Sequence, residues 1–355
     1  MQVQTLIIGQ GLCGTWLSYW LQQRGHSFLV LDQPNPQSPS RIASGVVNPV
    51  TGRVLAETWM AEQLLPFALE HYRALGAMVG LEVIQKTSIL HCFPAQQMRD
   101  VFLKKQEALP QWLETADPGP WRRYFRFQYG TGGIRPALLI DLNGLLYRWR
   151  EKLQRDNLLR ETVFDPALMD TSTGIRYEDI RAERIIFCDG TAAMQYRYFE
   201  KLPFAPNKGE ALLLEVEELP AGRIYKKGIS LVPFPHYQGE ENNRYFWAGS
   251  TYDNRYTETG PTAAFREKTL AQLQEWLLPG FRLVDHWAGI RPATLDRRPF
   301  AGMHPQHPRI GMLNGMGTKG CSLAPWFAHQ LAGFLVDGSP LQPEAALTRF
   351  ARLLG

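Results

Sequence analysis

Residues 3–32 read VQTLIIGQGLCGTWLSYWLQQRGHSFLVLD, and this stretch decides the fold. The apolar segment Val3 to Ile8 predicts a buried strand that runs into a glycine-rich turn, Gly9-Gln10-Gly11-Leu12-Cys13-Gly14. The residues after the turn have helical spacing, and Phe28 to Leu31 predicts a second strand that ends in Asp32. This order of strand, glycine turn, helix, strand and acid predicts a dinucleotide-binding βαβ unit.

Each glycine of the turn has its own physical role in such a unit. Gly9 permits the tight turn, Gly11 lets the backbone approach a pyrophosphate, and Gly14 lets the helix pack closely on the strand. The N–H groups at the start of the helix can bind the anion, and Asp32 can accept from a ribose hydroxyl. A plain strand-turn-helix is the alternative, and the acid at the end of the second strand argues against it.

The composition is that of an ordinary globular protein. A chain of 355 residues with 45% hydrophobic content can bury a large core and is expected to form two domains. The net charge is +4, and no run of Lys or Arg indicates a nucleic-acid partner. No apolar stretch is long enough to span a bilayer and no leader-like segment is visible, so a cytoplasmic location is expected. The cysteines have no zinc-site or disulfide spacing, so we expect buried thiols and no metal; they are Cys13, Cys92, Cys188 and Cys321.

Periodicity along the rest of the chain predicts further helices and strands. Helical spacing covers Glu57–Leu75, Ile140–Leu153 and Cys321–Val336, and 110–120 is expected to be a loop. Strand-like runs lie at 88–93, 124–128, 158–164, 184–190, 211–216, 229–234, 245–250 and 309–314. The fold class is therefore α/β (α+β), with a discontinuous nucleotide-binding domain and an inserted substrate-binding domain built on a mixed or antiparallel sheet. The expected ranges are 1–75, 140–204 and 289–355 for the first domain, and 76–139 and 205–288 for the second.

Five sequence features occur in an order that is specific in combination. They are the Gly9-Gly11-Gly14 turn with Asp32, the Ala43-Ser44-Gly45 loop, Val163-Phe164, the strand closing on Asp189-Gly190, and the segment Gly289 to Thr294 with Asp296 and Pro299. Asn314-Gly315 and a turn from Gly317 to Gly320 follow. This pattern resembles the D-amino-acid oxidase superfamily of flavoenzymes, which includes glycine oxidase and sarcosine oxidase, over nearly the whole chain. The resemblance implies a Rossmann-like FAD-binding domain of the glutathione-reductase type.

The resemblance also implies FAD contacts along the chain. The first glycine loop would hold the pyrophosphate, Asp32 the adenosine ribose and Val163 the adenine. The last glycine turn would meet the pyrimidine edge of the flavin, where the following helix N-terminus supplies N–H donors to a reduced flavin. The implied FAD-binding residues are Gly9, Gly11, Leu12, Cys13, Gly14, Asp32, Gln33, Arg41, Ala43, Ser44, Gly45, Asn48, Val163, Asp189, Gly190, Gly289, Arg291, Gly315, Gly317, Thr318, Lys319 and Gly320.

The activity that the resemblance implies is oxidation of an amine or amino acid, in which the α-hydrogen passes as hydride to flavin N5 and an imine forms. Arg291 is the leading candidate to anchor a substrate carboxylate, because a planar guanidinium can bind a carboxylate through two hydrogen bonds. The alternative for Arg291 is a structural salt bridge with Asp285 or Asp296. Lys319 is a second candidate, as a donor to the flavin or a charge for the substrate, and its alternative is a surface lysine.

Two positions depart from the family pattern. Thr318 stands where glycine oxidases carry an arginine, and Trp247 stands where sarcosine oxidases carry an oxygen-activating lysine. Residues 283–290 lack the cysteine that attaches FAD in sarcosine oxidases, so noncovalent FAD is expected, and His286 is the only reactive group there. Aromatic side chains of the β-rich middle are candidates to line a pocket over the flavin, with packing in the core as the alternative; they are Trp247, Tyr252, Tyr237 and His236.

Other functions remain open at this stage. An aromatic-hydroxylase-type monooxygenase usually shows a late Gly-Asp-Ala-Ala-His-like segment, which residues 310–324 lack. An NAD-dependent dehydrogenase needs no second glycine cradle like that at 315–320. An oxidase acting on a modified-tRNA amine shares the Ala-Ser-Gly loop, but the chain shows no fused methyltransferase and no strongly basic face. A flavin-binding protein without amine oxidation is the non-enzymatic alternative.

Overall fold

The computed structural model describes residues 1–237 and 240–355. Within these ranges the α-helices are α1 Leu12–Gln23, α2 Pro39–Ile42, α3 Ala61–Val79, α4 Gln96–Ala108, α5 Leu142–Arg155, α6 Ala263–Trp276, α7 Gly320–Asp337 and α8 Ala351–Leu354. The strands are β1 Gln2–Ile8, β2 Phe28–Leu31, β3 Val46–Val47, β4 Val50–Thr51, β5 Ala56–Glu57, β6 Ile84–Cys92, β7 Leu113–Thr115, β8 Thr131–Ile140, β9 Leu159–Arg160, β10 Met169–Asp170, β11 Ile175–Tyr177, β12 Ile180–Phe187, β13 Asn207–Val216, β14 Ile224–Lys227, β15 Ile229–Pro233, β16 His236–Tyr237, β17 Glu240–Glu241, β18 Tyr245–Gly249, β19 Phe281–Arg291, β20 Phe300–Met303 and β21 Ile310–Asn314.

The first sheet has the strand order β10-β11-β12-β1-β2-β9, with β21 beside β12 and β20 beside β21. Strand β1 pairs in parallel with both β2 and β12, and β12 pairs in parallel with β21. The carboxyl ends of these four strands therefore lie at one edge, where ligands bind in open α/β sheets. The predicted βαβ unit is confirmed as β1, α1 and β2.

The second sheet has the order β19-β13-β18-β15-β14-β6-β8-β3, with β7 beside β8. Its pairs are antiparallel except for β14 with β6, so the expected mixed sheet in the middle of the chain is confirmed. Strand β3 belongs to this sheet although it lies within 1–75, a range predicted for the nucleotide-binding domain. Strand β19 likewise extends to Arg291, past the predicted boundary at residue 289. The division into two domains with the ranges given above stays a prediction.

Helices α1, α3, α5 and α7 form one aromatic-rich layer, in which α1, α5 and α7 contact the first sheet and α3 contacts β6 of the second sheet. Trp16 of α1 stands edge-on to Tyr72 of α3, with the ring centroids 4.8 Å apart. Trp149 of α5 donates its Nε1–H to Ser18 Oγ of α1 at 2.9 Å. Truncating a buried aromatic side chain of this kind to alanine costs about 3–5 kcal/mol, so this layer holds the nucleotide-binding edge in place.

Several predicted boundaries are wrong. The long helix begins at Ala61 rather than Glu57, because Met60 adopts a left-handed φ of 58° just before it. Residues 124–128 form no strand; Phe125 makes a single bridge to Leu277, and the apolar alternation reflects burial of its ring in the core. Only Leu159–Arg160 of the run 158–164 pairs as a strand, and the expected loop at 110–120 contains β7.

In the described part of the chain, none of the helices combines the length and the apolar character required to cross a bilayer.

Candidate active site

A cleft of about 520 Å³ opens at the carboxyl edge of the first sheet and is closed on the other side by the second sheet. Most of the candidate site residues line it. They are Gly9, Gly11, Leu12, Cys13, Asp32, Gln33, Arg41, Ala43, Ser44, Asp189, Gly190, Trp247, Gly289, Arg291, Gly317, Thr318 and Gly320. The fold thus brings together segments that lie up to 311 positions apart in the sequence (Gly9 to Gly320).

The N-terminus of α1 faces this cleft without a side-chain cap. Gly11 is the N-cap residue, and the first turn contains no acidic side chain. Gly14 packs so closely on the Gly9 carbonyl that a Cβ at position 14 would overlap it. Apart from the Leu12 N–H, which Ser40 Oγ accepts, the start of the helix presents N–H groups and the positive end of the helix dipole, so this turn fits a bound diphosphate.

Asp32, at the end of β2, is held by two donors. The backbone N–H of Gln10 donates to Oδ1 at 2.8 Å, and Arg150 Nη1 donates to Oδ2 at 2.6 Å. Arg150 is 6% exposed and also donates to Glu161 at 2.9 Å. The nearby Arg41 lines the cleft, and burial, followed by the positive charge of Arg150, lowers the pKa of its guanidinium.

Asp189 is the other acid at this edge, and it lies just after β12. Its Oδ2 accepts from the Tyr196 hydroxyl at 2.7 Å, while Oδ1 is buried and has no hydrogen-bond partner. Burial raises the pKa of the Asp189 carboxyl to about 7. An orphaned polar atom in the wall of a cleft is a place where a ligand group fits.

The second glycine turn connects β21 to α7. Gly315 and Gly317 have left-handed φ values of 78° and 55°, which only glycine adopts without strain. Asn314 fixes the start of this turn, because its side-chain amide donates to the Gly190 carbonyl at 2.8 Å. Thr318 is exposed at the cleft, and Lys319 is half-buried, with its pKa lowered by burial and by the charges of Arg298 and Arg297.

Arg291, the last residue of β19, projects into the cleft across Gly209. Its Nη1 donates to Asn207 Oδ1 at 2.9 Å and to the Thr251 carbonyl at 3.2 Å, and its Nη2 donates to Ser250 Oγ at 2.9 Å. Both alternatives for a salt bridge are wrong, since Asp285 accepts from Trp287 and Tyr237 while Asp296 pairs with Arg349. Burial lowers the pKa of the Arg291 guanidinium, which nevertheless stays protonated at neutral pH.

The aromatic candidates are divided between different environments. Trp247 lines the cleft and donates its Nε1–H to the Ile42 carbonyl at 3.0 Å. Tyr252 is 55% exposed, and Tyr237 donates to Asp285 at 2.7 Å. His236 lines a neighbouring cavity of about 200 Å³, which meets the cleft at Ser44.

Six of the candidate FAD contacts lie outside the surface of the cleft. Gly45, with a φ of 74°, packs against the Ile140 carbonyl, and Val163 is 63% exposed. Asn48 accepts from the backbone N–H of Val50 at 3.1 Å. Their roles toward FAD stay predictions. The six residues are Gly14, Gly45, Asn48, Val163, Gly315 and Lys319.

The sequence reading missed several residues that shape the cleft. Ser40 Oγ accepts from the Leu12 N–H at 3.2 Å, and Gly209 leaves the space that the Arg291 guanidinium occupies. Arg150 reaches Asp32 from α5. Asn314 was part of the sequence pattern, together with Gly315, but no role had been assigned to it.

The cleft with its two glycine turns defines the class of protein as a flavin-dependent oxidoreductase. The chain matches the family described as DAO, FAD dependent oxidoreductase, over residues 4–333, and it belongs to that family. Its cofactor is FAD, as the sequence predicted. The described residues contain no group of three or more His, Cys, Asp or Glu side chains placed to hold a metal ion.

Individual relatives show which members of this family the chain is similar to. The chain is 30% identical to the glycine oxidase of Pseudomonas putida in an alignment of 382 positions, which covers 98% of this chain and 100% of that protein. The crystal structure of glycine oxidase from Geobacillus kaustophilus has the same fold, with a TM-score of 0.76 at 16% identity and 96% coverage of both chains. That of iminodiacetate oxidase from Chelativorans sp. BNC1 gives a TM-score of 0.73 at 18% identity, again over 96% of each chain.

Proposed function

We propose that this enzyme oxidises the C–N bond of a small amino acid or N-substituted amino acid. The observation that carries the proposal is Arg291, a half-buried guanidinium in the cleft wall that forms no ion pair with any described residue. A partly desolvated charge without a counter-charge is costly, and a ligand carboxylate lowers that cost.

The contacts of Arg291 define how a carboxylate would bind. Both hydrogens of Nη1 have acceptors, in Asn207 and Thr251, and one hydrogen of Nη2 has Ser250. In the described part of the chain, nothing accepts from Nε. The Nε–H and the second Nη2–H therefore remain for the two oxygens of one carboxylate.

The cofactor would lie along the cleft between the two glycine turns. Gly9, Gly11 and the N-terminus of α1 would hold the diphosphate, and the turn at Gly315–Gly320 would meet the flavin ring. When bound, FAD supplies acceptance of a hydride from the substrate carbon. The protein residues orient the substrate: Arg291 fixes the carboxylate, and Trp247 and the 43–45 loop exclude water from the cleft between the sheets.

The test is an anaerobic titration of the FAD-loaded enzyme with amino acids and N-alkylated amino acids, with bleaching of the flavin absorbance as the readout. We compare the wild type with Arg291→Gln and with a matched control, Arg282→Gln, on the same strand. The Arg282 side chain is 67% exposed and pairs with Glu215 at the surface. We expect the control to match the wild type. Arg291→Gln should keep its FAD but need about 100-fold more substrate for half-maximal bleaching of the flavin.

Two results would contradict the proposal. If no amine bleaches the flavin, the protein binds FAD without this chemistry. If Arg291→Gln releases FAD or unfolds while Arg282→Gln does not, Arg291 serves the fold rather than the substrate.

A second candidate is an amine carried by a modified tRNA. It is favoured by three cationic side chains beside the second glycine turn, Lys319, Arg297 and Arg298, whose mutual repulsion contributes to the lowered pKa of Lys319. Binding of unfractionated tRNA that weakens steeply between low and physiological salt would support this candidate, and flavin bleaching by free amino acids alone would exclude it.

A further inference from the structure

We propose that Asp189 holds FAD as a neutral carboxylic acid, with the proton on Oδ1 donated to an oxygen of the cofactor's diphosphate. The proposal concerns FAD retention alone, so it does not depend on which amine the enzyme oxidises.

The position of Asp189 connects it to the diphosphate-binding turn. Its Cα would lie only 2.9 Å from a Cβ at Gly9, so the two loops are in direct contact. Asp189 is one of the residues that line the cleft, and the Asn314 side-chain amide donates to the carbonyl of the next residue, Gly190. Any ligand group on the Gly9 turn therefore lies beside Asp189.

The two carboxyl oxygens have different partners, as expected for a protonated acid. Oδ2 accepts from the Tyr196 hydroxyl at 2.7 Å and so acts as the carbonyl oxygen. Oδ1 is buried without a partner, and it is the atom left to carry a proton. A neutral acid is a donor, and a diphosphate offers only acceptors.

Among the described residues, no cation contacts Asp189. The Tyr196 hydroxyl and the backbone N–H of Asp189 favour the ionised carboxyl, and burial outweighs both. The titratable groups packed against it are the Tyr196 phenol, the Cys188 thiol and, from α1, the Cys13 thiol behind Cys188. Burial raises the pKa of all three, that of Cys13 to about 12, so they stay neutral between pH 6 and 9. Burial also raises the pKa of Asp189 itself to about 7. No histidine lines the described cleft, so Asp189 is the group expected to titrate there.

A diphosphate beside Asp189 raises its pKa further, because two negative charges disfavour ionisation. FAD binding above pH 7 must then take up one proton, and the Kd for FAD rises with pH, approaching about tenfold for each pH unit. Below pH 6 the acid is already protonated, and the Kd is constant.

The experiment titrates apoprotein with FAD from pH 6 to 9 and follows quenching of flavin fluorescence. For the wild type we expect the Kd for FAD to rise with pH. For Asp189→Asn we expect one Kd across the whole pH range, close to the value that the wild type has at pH 6, because an amide donates without titrating. Calorimetric titration in two buffers of different ionisation enthalpy provides a second readout on the unmodified protein: about one proton taken up at pH 8.

Three results would overturn the proposal: a wild-type Kd that does not change with pH, no proton uptake at pH 8, or an Asp189→Asn variant that folds yet binds FAD weakly at every pH. The last result would mean that ionised Asp189 accepts from a hydroxyl of FAD. None of these outcomes bears on whether an amine bleaches the loaded flavin.

Discussion

Two arginines, Arg150 and the half-buried Arg291, lie on opposite sides of the cleft, and their surroundings differ. On the side of the first sheet, Arg150 donates to Asp32 at 2.6 Å and to Glu161 at 2.9 Å. On the side of the second sheet, Arg291 donates only to neutral acceptors, Asn207, Ser250 and Thr251. A charge with fixed counter-charges belongs to the folded protein, whereas a charge without them is available to an anionic ligand.

The largest expected effect is that of Arg150→Met on stability. Removal of the guanidinium leaves Asp32 and Glu161 without their cation, and breaking a buried ion pair on one side costs about 3–5 kcal/mol. Urea unfolding of the apoprotein should show this loss. Arg291→Met leaves only neutral acceptors such as Asn207 Oδ1 without their donor, so it should lower the free energy of unfolding by a smaller amount, about 1–2 kcal/mol. Equal losses in the two variants would remove the distinction between the two arginines.

Arg291→Lys should affect catalysis rather than folding. A lysine keeps the charge but cannot offer two parallel donors to one carboxylate, so we expect kcat/KM to fall about 100-fold, which corresponds to about 2.7 kcal/mol. Steady-state kinetics on the substrate found by flavin bleaching would measure this loss, and a matched Arg282→Lys variant should not change. A nearly normal kcat/KM for Arg291→Lys would mean that charge alone is recognised.

Two carboxyls at the cleft edge of the first sheet differ in the same way as the two arginines, since Asp32 is ion-paired and Asp189 is not. The folded-state pKa of Asp189 is raised to about 7, so its proton stabilises the folded state at acid pH and that contribution is lost as pH rises. Relative to Asp189→Asn, the free energy of unfolding of the wild-type apoprotein should fall between about pH 4 and pH 7 by up to about 1.4 kcal/mol per pH unit. Chemical unfolding at four pH values tests this, and parallel curves for the two proteins would contradict it.

Gly209→Ala should produce a smaller effect on the same side of the cleft as Arg291. A Cβ at position 209 would overlap the guanidinium of Arg291, which must then move away from its position. We expect KM to rise about tenfold while FAD stays bound, because a displacement of about 1 Å is costly for positioning. The matched control is Gly222→Ala, where a Cβ would meet no neighbour within 4 Å. An unchanged KM would show that Arg291 has other positions equally suited to the substrate.

The parts of the fold that sequence predicted are those with local signals. Strand β1, α1 and β2 follow from hydrophobic periodicity and glycine spacing within 30 residues, and both glycine turns lie where left-handed φ values are needed. Helix α4 was missed because only Phe102 is buried along its 13 residues, which leaves no apolar stripe to detect. A helix with a solvated surface on most sides carries little periodic signal.

The cleft residues that the sequence predicted lie in local motifs, the glycine turns and the strand ends, and the cleft residues that it missed lie where distant segments meet each other. Arg150 contacts Asp32 across 118 positions, and Gly209 matters only because β13 pairs with β19 in a register that places Gly209 opposite Gly289. Strand register depends on the assembled sheet rather than on any single segment. The same reason explains why the salt-bridge alternatives for Arg291 were wrong.

The four buried thiols can report how often different regions of this enzyme open to solvent. Cys13, Cys188 and Cys321 line the cleft, while Cys92 is buried in the second sheet. Burial raises the pKa of each thiol, so none reacts readily while the protein stays closed. Alkylation of each thiol must wait for its own region to open. Alkylation rates measured for each cysteine by mass spectrometry, with and without FAD, would therefore report separately how often each region of the molecule opens.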